Sequence, residues 1–188
     1  MTNIAFCITG SYCTFAAVFP AVEGLIAAGH TVQIIFSQNA YSTDTRFGEA
    51  ADWIARAEAM TGKAPWHSIT EVEPIGPKKL FDLLIIAPCT GNTLGKLAKG
   101  ISDTAVTMAA KAHLRNERPV LIGVSTNDAL SGSAENLGKL LNTRHMYFIP
   151  LRQDDAVGKP RSLVADFSLM LPAVKAALCG EQIQPMLT

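Results

Sequence analysis

Charge is scarce in this chain and evenly divided. Only 17% of the 188 residues are Asp, Glu, Lys or Arg, and sixteen basic side chains balance sixteen acidic ones. No block of like charge is present to hold nucleic acid or an anionic membrane. Long apolar runs are missing too: none approaches the roughly 20 residues of a membrane-spanning helix. A strand-like segment begins within two residues of Met1, so no secretory leader is expected. Cysteine is sparse. Cys7, Cys13, Cys89 and Cys179 show no metal-ligand spacing, so no metal site is expected, and a reduced, cytoplasmic protein is the simplest account. No internal repeat or low-complexity segment occurs, and the three spaced glycines of the dinucleotide fingerprint are lacking.

What remains is apolar and regular. Hydrophobic residues make up 48% of the chain, enough for a full core in one domain covering 1–188. So little charge also leaves apolar surface to spare, which points to a homo-oligomer. Buried strands alternate with helical segments across short turns. This pattern predicts an α/β fold: a doubly wound parallel sheet, Rossmann or flavodoxin-like, with helices on both faces.

The stretch Leu83–Thr93 organises the rest. Leu83–Ala87 is an unbroken apolar run, as in a strand covered on both faces. Pro88 has no N–H for the next ladder bond and is expected to end it. Cys89–Thr93 then reads as a tight polar turn before a helix over Leu94–Lys99. A strand, a polar turn and a helix start form a ligand crevice in open α/β sheets, with Thr90, Asn92 and Thr93 offering short polar side chains. An ordinary capped loop accounts for the same residues.

The first strand, Asn3–Thr9, runs into Gly10 and Ser11 and then a helical pattern to about Ala28, with Pro20 predicting a kink or a late start. Glycine permits close approach of backbone to a ligand. With the hydroxyls of Ser11 and Thr14 this suits one phosphate, as in a mononucleotide, although a plain turn explains it equally well. Thr31–Ser37 is a second strand, Gly48–Met60 a helix, and Lys63–Pro77 a looser segment containing His67. Ser102 or Asp103 is expected to cap a surface helix over Asp103–Arg115, with His113 as solvated charge near its end. Pro119–Val124 leads to Ser125, Thr126 and Asn127. Ser131–Asn142 reads as a helix with Leu137, Leu140 and Leu141 inward, and Met146–Ile149 as the final strand. The loop 150–162 is long enough for a lid. Its Arg152, Lys159 and Arg161 suit a dicarboxylate, or simply a solvated loop balanced by Asp154 and Asp155. Ser162 would cap a last helix, Leu163–Leu178, and 181–188 reads as a flexible tail. Cys13 and Cys89 sit in ligand-facing turns, where thiol reactivity is one reading and small buried packing the commoner one.

Pro88-Cys89-Thr90-Gly91-Asn92-Thr93, with Lys96-Leu97-Ala98, Gly100-Ile101 and Ser102-Asp103, resembles the signature of the homo-oligomeric flavin-containing Cys decarboxylase superfamily. That superfamily includes phosphopantothenoylcysteine decarboxylases, lantibiotic-peptide decarboxylases and flavin prenyltransferases. The resemblance implies FMN as cofactor, with Gly10, Ser11, Ser37, Thr90, Gly91, Asn92, Thr93, Ser125 and Thr126 as its binding residues. It implies His67 as catalytic acid/base and Asn127 as the holder of a substrate carboxylate. The decarboxylases carry Pro-Ala-Met-Asn where this chain has Ser125, Thr126 and Asn127, and the following Met-Trp is missing. A flavin prenyltransferase would carry an arginine near Thr126 and a lysine near Asn92, and neither is present. The Gln153-Asp154-Asp155 and Lys159-Pro160-Arg161-Ser162-Leu163-Val164 pattern resembles instead the branch of the superfamily found in spore formers. That branch implies oxidation of a dihydropyridine dicarboxylate to pyridine-2,6-dicarboxylate in the mother cell, with a partner chain that supplies NAD(P)H chemistry. A cysteinyl decarboxylase and a non-catalytic supporting role stand as alternatives.

Overall fold

The computed structural model describes residues 1–188. Strand β1 (Asn3–Ile8) is buried from Ile4 onward and leads through Gly10 and Ser11 into a 3₁₀ turn, Tyr12–Thr14. Helix α1 (Phe15–Ala27) follows, then β2 (Thr31–Phe36), α2 (Gln38–Ser42), α3 (Ala50–Thr61) and two single turns, α4 (Ile69–Val72) and α5 (Ile75–Lys78). The central strand β3 spans Leu83–Cys89, all seven residues buried. Beyond it come α6 (Gly91–Lys99), α7 (Ala105–Leu114), β4 (Val120–Thr126), α8 (Ala134–Leu141) and β5 (Met146–Phe148). Two short strands, β6 (Leu151–Arg152) and β7 (Leu163–Ala165), precede a last helix, α9 (Met170–Leu178).

The parallel part of the sheet runs β2-β1-β3-β4-β5. Ile4 lies between Val32 and Leu83, and Val120 between Leu84 and Met146. This is the flavodoxin-like strand order, whose chain reversal between β1 and β3 opens a crevice at the strands' carboxyl ends. In one helical layer α1 packs on α9; in the other α7 packs on α4, α5 and α6. The sheet and both layers share a single cluster of 50 buried apolar residues.

Some expectations are corrected. Helix α1 runs through Pro20, so of the two outcomes expected there the late start does not occur. The lost bond to the preceding turn is outweighed by burial of Phe15, Val18, Phe19, Val22 and Leu25 along one face. Pro88 does not end β3 either. The strand continues through it to Cys89, and the missing N–H appears as a register shift against β4 between Ile86 and Cys89. The Pro88 carbonyl is used twice, by the Thr9 N–H and the Thr9 hydroxyl. With Cys89 in the strand, helix α6 begins at Gly91 rather than Leu94.

The cap of α7 is Thr104, which forms a reciprocal box with Thr107, not Ser102 or Asp103. His113 is only 1% exposed and is no solvated charge. Its Nε2 meets the Pro119 carbonyl at 3.1 Å, and burial, reinforced by the Arg118 guanidinium, lowers its pKa to about 4. Leu141 faces outward, while Leu137 and Leu140 are buried. Leu163–Ala165 forms a strand instead of a helical start, because β7 pairs antiparallel with both Ser125–Thr126 of β4 and β6. Helix α9 therefore starts only at Met170. Residues 181–188 pack back on the sheet edge. The Gln182 side chain accepts from the Phe148 N–H at 2.7 Å and donates to its carbonyl at 2.8 Å, and Leu151 exchanges backbone bonds with Met186 and Thr188.

Candidate functional site

The carboxyl ends of β1, β2, β3 and β4 deliver polar turns to one side of the sheet, where two clefts adjoin. The smaller, about 250 Å³, has no apolar lining residue; Gly10, Ser37, Asn39, Thr90, Asn92 and Thr93 are among its walls. The larger, about 570 Å³, is lined by Gly10, Ser11, Cys13, Thr90, Ser125, Thr126 and Asn127, with Phe47 and Val164 as apolar members and Asp154, Lys159 and Ser162 beside them. Gly10 and Thr90 belong to both. The volumes are in the range of small-molecule sites.

Each polar residue is held by local chemistry. Ser37 and Thr90 are helix N-caps, their hydroxyls accepting from the N–H groups of Ala40 and Thr93 at 3.3 Å each. The Thr90 N–H donates to Thr9 Oγ1 at 3.1 Å, which fixes the β3 turn to the end of β1. Ser11 Oγ lies 2.7 Å from Ser125 Oγ. Thr14, by contrast, spends its hydroxyl on the Ser11 carbonyl at 2.7 Å. The backbone N–H groups of Gly10 and Asn92 have no acceptor in the protein. The smaller cleft contains no carboxylate, and its one cation, Lys96, is paired with Asp103 at 2.8 and 2.9 Å. Unpaired N–H groups, hydroxyls and the absence of negative charge form a cradle that fits a phosphate monoester. The adjoining larger cleft has room for the ring of a mononucleotide, so the residues fit FMN.

Gly91 lines neither cleft. A Cβ there would stand 2.7 Å from Ser133 Oγ and 2.8 Å from both Asp128 Oδ1 and Thr126 Oγ1. Those three atoms form a hub that sequence reasoning missed: Asp128 Oδ1 accepts from the Thr126 hydroxyl at 2.6 Å and the Ser133 hydroxyl at 2.9 Å. It sets the turn that carries Asn127, and no motif spacing marks it. Ser162, read as a helix cap, instead donates to the Thr126 carbonyl at 3.3 Å. Cys89 is fully buried rather than ligand-facing, and burial pushes its thiol pKa far up. Cys13 is exposed in the larger cleft.

The two expected catalytic residues are not brought together. Asn127 lines the larger cleft, but His67 lines neither. Trp66 pairs along the outer edge of β2, its carbonyl accepting from the Phe36 N–H at 2.7 Å. His67 therefore lies beyond β2, with β2, β1 and β3 between it and the end of β4. Its ring stacks on Tyr41 at 3.8 Å between centroids, with Nδ1 3.5 Å from Glu71 Oε2. Burial raises the Glu71 pKa, but the N–H groups of His67 and Ser68 and the Ser68 hydroxyl outweigh it, and the carboxyl lies below its usual range.

A sheet of this order, with polar turns gathered at its carboxyl edge, defines the class, and comparison with known proteins agrees. Residues 1–162 match the flavoprotein family model, and the chain belongs to that family. Within it the chain is similar to the dipicolinate synthase B subunit of Bacillus subtilis (strain 168), at 47% identity over 98% of this chain and 92% of that protein. It is also similar to the crystal structure of the dipicolinate synthase B subunit from Bacillus halodurans C, with a TM-score of 0.91, 41% identity, and coverage of 100% of this chain and 96% of that one. More distantly, it shares its fold with Burkholderia xenovorans DmrB in complex with FMN. That match has a TM-score of 0.69, 17% identity, and coverage of 94% and 95%.

Proposed function

We propose that this chain is the FMN-binding B subunit of a dipicolinate synthase. In this reading it takes part in oxidising a dihydrodipicolinate-type intermediate to pyridine-2,6-dicarboxylate, in the cytoplasm of the mother cell of a sporulating bacterium. The observation that carries the reading is the pair of adjoining clefts at Gly10 and Thr90, in a chain similar over nearly its whole length to the B subunit of that synthase. Gly10, Ser11, Ser37, Thr90, Asn92 and Thr93 would hold the phosphate end of FMN. Ser125, Thr126 and Asn127 would face its ring, and Gly91 would support the turn from behind. When bound, FMN supplies two-electron acceptor chemistry, and the protein orients it and excludes water. Asn127 offers an amide to a substrate carboxylate. The dipicolinate synthase A subunit would be the partner that contributes NAD(P)H chemistry. A homo-oligomer is supported by Ile101, exposed next to Leu97, Leu114 and Met146 in an apolar groove.

A cysteinyl decarboxylase is favoured by Asn127 in the cleft; His67 lies outside the cleft of its own chain, so acid/base work by His67 there would need a neighbouring copy. The deciding measurement is a visible absorption titration of the purified protein with FMN, followed by an assay for pyridine-2,6-dicarboxylate with the A subunit present. Stoichiometric flavin binding and product formation are expected. Release of carbon dioxide from a cysteinyl substrate would transfer the assignment to the decarboxylases. No flavin binding, with complex activity surviving site substitutions, would assign a supporting role.

A further inference from the structure

Asp154 and Lys159 are the only charged side chains that line the larger cleft. Both come from residues 150–162, which include β6 and the loop leading to β7 and also carry Arg152 and Arg161. Neither arginine lines the cleft, and the Arg161 guanidinium is directed to the Leu130 carbonyl at 3.4 Å. The three cations that the sequence offers in this segment are thus reduced to one by the fold.

Lys159 is positioned before any ligand arrives. Its Nζ donates to Asp154 Oδ2 at 3.0 Å, its only acceptor in the protein, and its backbone N–H donates to the Asp155 carbonyl at 2.8 Å. An ammonium carries three donors, so two are left for a ligand. Burial raises the Asp154 pKa, but the Ser162 hydroxyl and the Lys159 ammonium outweigh it, and the carboxyl lies below its usual range. Asp154 in turn holds Lys159 protonated. The pair is partly exposed, with side chains 31% and 56% accessible, and such a pair adds little to stability. Its position does more than its energy: the pair places one ammonium at a cleft whose lining residues, apart from Asp154 and Lys159, are neutral.

We infer that Lys159, held by Asp154, is the residue that binds a carboxylate of the substrate in the larger cleft, and that this contact selects a small planar dicarboxylate over its monocarboxylate. The inference rests on reading this cleft as the substrate site. The ammonium keeps Asp154 as one partner and gives its remaining donors to the incoming carboxylate, a charge-assisted contact.

The test is calorimetric titration of the full chain with pyridine-2,6-dicarboxylate and with pyridine-2-carboxylate, each with and without saturating FMN. Wild type is expected to prefer the dicarboxylate, with binding that weakens as KCl is raised. Lys159→Gln is expected to lose about tenfold in dicarboxylate affinity, most of the preference and most of the salt dependence. Lys159→Arg is expected to keep most of all three, and Arg161→Gln to match wild type. Equal affinity in Lys159→Gln and wild type would overturn the inference, as would a wild type that binds both ligands equally or neither. If FMN binds with full stoichiometry while the dicarboxylate does not, the carboxylate subsite fails and the cofactor reading stands. If FMN does not bind but Lys159→Gln still weakens the dicarboxylate, the cofactor reading fails and the subsite stands.

Discussion

Ser11 and Ser125, separated by 114 positions, bring their hydroxyls to 2.7 Å of each other. The contact joins the turn after β1 to the end of β4 across β3. Both residues line the larger cleft, and a hydroxyl pair of this kind can turn its protons toward a ligand without leaving a buried charge unpaired.

Ser11→Asp should weaken FMN binding. The change places a carboxylate in the turn proposed for the phosphate, and the two cations that line the clefts, Lys96 and Lys159, are each already paired with a carboxylate. Like charges at contact distance in a partly desolvated cleft oppose each other by about 1–3 kcal/mol, or roughly five- to 150-fold in affinity. Absorption titration with FMN measures this, with thermal melting to show that the variant is folded. Unchanged affinity in a folded variant would remove the phosphate from this turn.

Gly91→Ala should destabilise the protein by about 1–3 kcal/mol, the usual cost of overpacking. The added methyl would overlap Ser133 Oγ, Asp128 Oδ1 and Thr126 Oγ1, and these cannot all retreat without breaking the two bonds to Asp128. Urea denaturation gives the stability change. A midpoint equal to wild type would mean that the Asp128 hub yields freely and does not set the turn bearing Asn127.

Stability should fall in mild acid because of His113. Its ordinary value is 6.5 and its folded value about 4, so the unfolded chain takes up the proton first. The contribution of its neutral form is fully present above about pH 6.5 and is lost as the pH falls towards 4. The full linkage is about 3 kcal/mol, of which about 2 kcal/mol is gone by pH 5. Urea denaturation of wild type and His113→Gln at pH 7.5 and pH 5 tests this. Wild type should lose the larger share of its stability, and equal losses in the two proteins would show that other groups carry the acid sensitivity.

The fold class was legible because burial on both faces leaves a mark in linear sequence. Leu83–Ala87 has no polar residue to expose, Asn3–Thr9 and Thr31–Ser37 are nearly as apolar, and only an α/β sheet covers such strands on two sides. The turns at Gly10, Ser37, Thr90 and Asn127 were legible for a related reason, since each follows a buried strand directly and carries small polar residues. Where the structure departs from the local sequence pattern, the deciding force is not local. Leu163–Ala165 has a helical neighbour in α9, but β4 offers a free edge past the end of β5, and pairing there makes it a strand. His113 sits among basic residues in sequence, yet α7 turns it onto the Pro119 carbonyl.

By itself, then, the sequence determined the elements, the polar turns and the scarcity of charge, because these depend on the character of neighbouring residues. Only the tertiary structure decided which turns share a cleft. It joined Ser11 to Ser125, hid Cys89 inside β3, put His67 outside β2 and chose Lys159 from three cations. Strand order and register fix those distances, and they depend on how separate segments pack together, which no local run of residues encodes.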